Sequence, residues 1–124
     1  MIAPQSMAGQ RVLVAEDDKL IALDIAGELE RAGYTVVGPV SRLEAALALA
    51  ECQDLDAAIL DVFLDGAHVW PLGERLAARA VPFVFLTGFA PFLEFPLSFA
   101  TVPRLEKPHR PGALARAIRT ILKH

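Results

Sequence analysis

One cysteine in 124 residues leaves this chain without an internal disulfide and without any multi-cysteine metal site. Cys52 has no base near it in sequence and reads as a structural residue rather than a reactive thiol. Long apolar runs are also missing. The longest charge-free stretch, Ala80 to Leu93, is too short to cross a bilayer and carries Pro82 and Pro91. The opening MIAPQSMAG lacks both the basic start and the apolar centre of a secretion signal. These absences predict a soluble, cytoplasmic protein with no membrane contact. The formal net charge of −3 supplies no basic excess for a phosphate backbone, so nucleic acid is not expected as a direct partner. There is no internal repeat, low-complexity tract or linker, and the length suits one domain that can bury a sizeable core. Residues 1–10 are expected to form a flexible arm and 11–124 the domain.

What is present is an alternation of apolar runs of strand length with segments of helical periodicity. That alternation predicts an α/β fold, a doubly wound parallel sheet with helices on both faces. RVLVA (11–15), YTVVG (34–38), DAAILD (56–61), PFVFLT (82–87) and TVPRLE (101–106) read as five strands. The segment 20–33 places Ile21, Ile25 and Leu29 on one helical face before Gly33 closes it. A second helix is expected over 41–52, opened by Ser41 and Glu44 in capping-box spacing. A third is expected over 68–80, with Pro71 in its first turn, and a closing one over 111–124 with Leu114, Ile118, Ile121 and Leu122 buried. Between Pro91 and Pro96 only an irregular or shortened fourth helix fits.

The stretch VLVAEDD (12–18) ends its apolar run in three acids, an arrangement that costs stability unless a cation or a cap accounts for it. Ligands of open α/β sheets bind beyond the carboxyl ends of the strands. There the first strand offers Glu16 and Asp17, the third Asp61, the fourth Thr87, and the fifth Lys107 just past its end. Three clustered carboxylates favour a hard divalent cation, and Mg²⁺ is the economical choice because it takes oxygen ligands and keeps several waters. A carboxylate beside a metal, a hydroxyl and an ammonium is equipped to attack a phosphoryl donor.

VLVAEDD, AILDV, FVFLTG and EKP, in that order at strand ends, resemble the receiver domain of bacterial two-component response regulators. The likeness runs from Arg11 to Leu122. It implies a flavodoxin-like sheet in the order 2-1-3-4-5, with Asp61 as phosphoacceptor. It implies Asp17 and Asp61 as direct Mg²⁺ ligands, Glu16 as a ligand through water, and the backbone carbonyl of Phe63 as a further ligand. Thr87 would be the switch hydroxyl and Lys107 the lysine that contacts the phosphoryl group, followed by a Lys107–Pro108 bond of the kind commonly cis in the family. Asp18 falls outside the acidic pair and is read as a helix cap. PFVFLTGF is also similar to the motif of the FAT GUY group of stand-alone receivers, with Leu86 in place of its Ala and Phe89 as the aromatic. That likeness implies a sensor histidine kinase, often of the HWE type, or a phosphotransferase as partner.

The chain departs from the family at two points. Arg104 stands where most receivers have an aromatic switch residue, and Asp65 stands where many carry a proline. Arg104 and the irregular segment 88–100 motivate an alternative reading, a protein-binding pseudo-receiver that needs no phosphate. A haloacid-dehalogenase-type phosphatase fits poorly, because AEDDK lacks its Asp-x-Asp run. Phe63 and Phe89 stand two residues past the acceptor and the switch Thr, positions that in receivers border the path of the hydrolytic water, so the resemblance implies slow autodephosphorylation. Phe89, Phe92, Phe95 and Phe99 recur at near-helical steps, either as core over the sheet edge or as an exposed patch for a partner. Arg116, Arg119 and Lys123 share a face that is either solvated or an acidic docking site. Output is expected through contact, as a phosphate sink or shuttle or as a phosphorylation-dependent binder using the fourth-helix, fifth-strand, fifth-helix face, with residues 88–105 and 111–123 also a candidate homodimer surface.

Overall fold

Side chains alternate across each central strand, and that alternation builds two cores. The computed structural model describes residues 9–88 and 93–123. Strands β1 (Arg11–Ala15), β2 (Thr35–Val40), β3 (Ala57–Asp61), β6 (Phe83–Thr87) and β7 (Arg104–Glu106) form one parallel sheet in the order β2-β1-β3-β6-β7. Counting only these five, the order is the expected 2-1-3-4-5. Val12, Val14, Ala57, Ile59, Val84 and Leu86 face Ile25 and Leu29 of α1 (Lys19–Arg31) and Leu114 and Ile118 of α4 (Ala113–Leu122). Leu13, Ala15, Ala58, Leu60, Phe83 and Phe85 face Ala46 and Ala50 of α2 (Leu43–Cys52) and Leu72 and Leu76 of α3 (Trp70–Ala78). Each fully buried Leu, Ile or Val contributes on the order of 1.5–3 kcal/mol relative to exposure, so the doubly buried strands hold the frame.

Helix α1 is capped as expected. Asp18 Oδ1 accepts from the amides of Leu20 and Ile21, and Gly33 (φ +96°) follows the last turn, where a left-handed backbone suits glycine. The capping box expected at Ser41 and Glu44 does not form. Helix α2 starts at Leu43 behind Arg42, whose extended backbone takes the cap position without a side-chain bond. Glu44 is then one residue too early in the helix to reach back, and it pairs with Arg42 at 3.4 Å instead.

Helix α3 begins two residues later than expected because His68 belongs to a small hairpin. Strands β4 (Phe63–Leu64) and β5 (Ala67–His68) pair antiparallel across Asp65 (φ +50°) and Gly66 (φ +85°). Two positive φ values in a two-residue turn are what Asp-Gly favours, and that dipeptide was the missed signal. In the expected fourth-helix region, residues 93–100 contain a single 3₁₀ turn, Leu97–Phe99, and the expected Phe89 and Phe92 lie outside the described residues. Of the expected arm, residues 1–8 are likewise outside them. Gly9 donates to Gly33 O and Gln10 O accepts from Thr35 N.

Of the four phenylalanines at near-helical steps, the two that are described, Phe95 and Phe99, pack with the core. Phe99 is buried, and Phe95 packs on Trp70 and Phe85. Cys52 is a free cysteine, exposed at the last position of α2. Arg116, Arg119 and Lys123 are exposed along α4.

Candidate functional site

Strand register brings the polar residues to one rim. Ala15 pairs with Leu60, so Glu16 and Asp61 leave adjacent strands at the same level. Asp61 pairs with Leu86, Thr87 pairs with Glu106, and the amide of Lys107 donates to Thr87 O at 2.8 Å. The Lys107 side chain then reaches across the sheet. Its Nζ lies 2.9 Å from Asp61 Oδ2 and 2.8 Å from Glu16 Oε1.

Glu16 and Asp61 are 2% and 6% exposed, so both carboxylates sit largely outside water. Burial, reinforced by Glu16, pushes the Asp61 carboxyl up from 3.8 to about 7, against the pull of Lys107. Burial alone would lower Lys107, but its bonds to Glu16 and Asp61 outweigh it and hold the ammonium above its ordinary value. Asp17 is exposed. Slight burial would raise its carboxyl, yet the Asp65 amide, donating to Oδ2 at 2.9 Å, and the neighbouring side chains hold it below the usual value.

Carboxylate oxygens of Glu16, Asp17 and Asp61 all lie within 4.8 Å of one another. One ammonium faces these three acids. Glu16 Oε2 accepts from the Asp18 amide, and the buried Oε1 has the Lys107 ammonium 2.8 Å away as its close partner. An all-oxygen set of three carboxylates facing a single ammonium leaves an excess of negative charge and fits Mg²⁺.

No family model matches the chain. The transcriptional regulatory protein PdtaR of Mycobacterium tuberculosis is 38% identical over 84 residues, which are 65% of this chain and 40% of PdtaR. The chain thus spans about two fifths of that curated relative. The receiver domain of sensor histidine kinase PA1611 from Pseudomonas aeruginosa PAO1, solved with a magnesium ion coordinated in its active site cleft, superposes with a TM-score of 0.78. That pair shares 26% identity, with 94% of this chain and 100% of that one covered. SdrG from Sphingomonas melonis Fr1 shares 39% identity at a TM-score of 0.80, with 92% of this chain and 97% of that one covered. This chain belongs to the response-regulator receiver family.

In the receiver, then, Glu16, Asp17, Asp61 and Lys107 form one cluster. Thr87 stands at its edge, and its hydroxyl donates to Gly88 O at 3.0 Å rather than to Asp61. The Phe63 amide donates to Asp61 Oδ1 at 3.3 Å, while its ring lies tilted against His68 with centroids 4.6 Å apart, and Phe63 is 39% exposed. The Lys107–Pro108 bond is cis, as the resemblance implied. Arg104 lays its guanidinium 3.6 Å over the Phe95 ring at the outer edge of the sheet. Two contributors were not legible in the chain. The Asp65 amide on Asp17 depends on the hairpin turn, and Glu28, on α1, reaches the segment after Lys107 from far away in sequence. No helix among the described residues is long and apolar enough to cross a membrane.

Proposed function

We propose that this receiver accepts a phosphoryl group on Asp61 from the phosphohistidine of a sensor histidine kinase or a phosphotransferase, with Mg²⁺, and signals by protein contact. The observation that carries the reading is Asp61, buried at the sheet rim and held 2.9 Å from the Lys107 ammonium. Asp61 Oδ attacks phosphorus. The P–N bond to the donor imidazole breaks, its electron pair goes to that nitrogen, which takes a proton, and an acyl phosphate forms on Asp61. Lys107 holds its charge where the equatorial oxygens come to rest, and Thr87 hydrogen-bonds one of them after turning from Gly88 O. Asp17, Asp61, Glu16 through water and the Phe63 carbonyl would hold the Mg²⁺, which would supply charge neutralisation at the transferring group.

Phe63 screens the acceptor from the attacking water, so autodephosphorylation is slow, with a phosphoryl lifetime longer than seconds at neutral pH. Output passes through residues 88–105 and 111–123, in which Leu97 is 92% exposed and Arg116 and Arg119 are exposed, either to a partner or to a second copy. The exposed Arg104, stacked on Phe95 in place of an aromatic switch, keeps the phosphate-independent binding module as the second reading.

Intact mass after incubation with Mg²⁺ and acetyl phosphate or phosphoramidate tests the choice. One phosphate on the wild type, none on Asp61→Ala, and loss of the adduct on chelation support phosphotransfer. No adduct on a folded wild type, together with full signalling by Asp61→Ala in cells, moves the weight to the binding module.

A further inference from the structure

Helix α4 starts without a cap of its own. Gly112 occupies the cap position in a left-handed conformation (φ +83°), no side chain there bonds the first turn, and that turn contains no acid. The exposed amides of a helix start attract a carboxylate both as a hydrogen-bond acceptor and as a charge at the positive end of the dipole. Glu28 of α1 supplies it across 87 positions of sequence: its Oε2 accepts from Ala115 N at 2.9 Å. The other oxygen, Oε1, lies 3.1 Å from His109 Nε2, and both side chains are 13% exposed.

Both carboxylate oxygens of Glu28 are therefore engaged, and both act on the segment that leaves Lys107. That segment is held on its near side by the Lys107 amide on Thr87 O at 2.8 Å. Its far side is held by Glu28 at His109 and at the first turn of α4. A long lysine side chain has many rotamers, and the narrow placement of Nζ within 2.9 Å of Asp61 requires its backbone to be fixed from both directions.

We propose that Glu28 is a positioning residue for Lys107: by gripping His109 and the start of α4 from α1, it sets where the ammonium stands opposite Asp61. The effect on rate rests on the reading of Asp61 as phosphoacceptor. The placement of Lys107 does not.

The test compares Glu28→Ala, Glu28→Gln, Lys107→Ala and the Glu28→Ala/Lys107→Ala double variant, each with circular dichroism confirming the fold. Phosphate uptake from phosphoramidate at saturating Mg²⁺ is followed by intact mass, and ¹⁵N–¹H spectra are recorded without a phosphodonor. Glu28→Ala is expected to slow uptake about tenfold, below the hundredfold that a 1 Å misplacement can cost. Glu28→Gln, whose amide still accepts from Ala115 and donates to His109, stays within about twofold of wild type. In the Lys107→Ala background the Glu28→Ala effect disappears, because nothing remains to position. An equal loss in that background, or an unchanged rate in Glu28→Ala, overturns the proposal. If the wild type takes up no phosphate, the acceptor reading fails by itself, and the spectra decide: a shifted Lys107 amide in Glu28→Ala with Val12 to Val14 unmoved supports the clamp, and an unmoved Lys107 overturns it.

Discussion

Asp61 is a carboxylate that the fold would rather keep protonated. Its carboxyl is pushed from 3.8 to about 7, first by burial and then by Glu16, so ionising it works against the folded state. Between about pH 4 and pH 7 the folded protein holds a proton that the unfolded chain has released, and stability from this group falls as pH rises through that window. At 1.36 kcal/mol per unit the shift corresponds to at most about 4 kcal/mol. Solvent at the open rim and compensation within the Glu16–Asp61–Lys107 cluster reduce the expected effect to about 2 kcal/mol. Asp61→Asn removes the charge at nearly constant shape; its amide oxygen can face Lys107 and its NH₂ can face the Glu16 carboxylate.

The assay is urea unfolding with chelator present, followed by fluorescence of Trp70, the single tryptophan, which packs against Phe85 and Phe95. At pH 8 the Asn variant should be the more stable by about 2 kcal/mol, and the gap should shrink to under about 1 kcal/mol at pH 5. Mg²⁺ at a hundred times its Kd should add about 2.7 kcal/mol to the wild type and less to the variant, which lacks the proposed Asp61 ligand. Equal stabilities at pH 8, or a gap of the same size at both pH values, would refute the reasoning.

The two adjacent aspartates should separate cleanly by role. Asp18→Ala removes the cap bonds to Leu20 and Ile21 and should cost about 1 kcal/mol in urea unfolding while Mg²⁺-dependent phosphate uptake persists, whereas Asp17→Ala should abolish uptake with little loss of stability. Gly73→Ala should destabilise the protein by about 1–3 kcal/mol in a thermal melt despite alanine's better helix propensity, because the new Cβ would stand 2.9 Å from the ring of buried Phe99.

Much of the sheet was legible because buried parallel strands leave continuous apolar runs, and those runs end where the site begins. The ends of β1, β3 and β6 and the lysine after β7 could be read as one rim, since parallel strands in adjacent register deliver their C-termini to one edge. The hairpin at 63–68 was written in Asp65-Gly66, yet the helical pattern of the following residues masked it. The start of α2 escaped because one residue of offset is invisible to a spacing rule but decides whether Glu44 can reach back.

By itself, then, the sequence determined which residues face the two cores and which polar groups meet at the rim, because periodicity and strand-end chemistry are local properties of the chain. Only the tertiary structure decided how those groups are charged and held. The raised Asp61 carboxyl comes from burial beside Glu16, the orientation of Asp17 from the amide of Asp65, and the seat of Lys107 from Glu28 on another helix. Each depends on distances of about 3 Å between residues remote in sequence, and spacing along the chain carries no record of them.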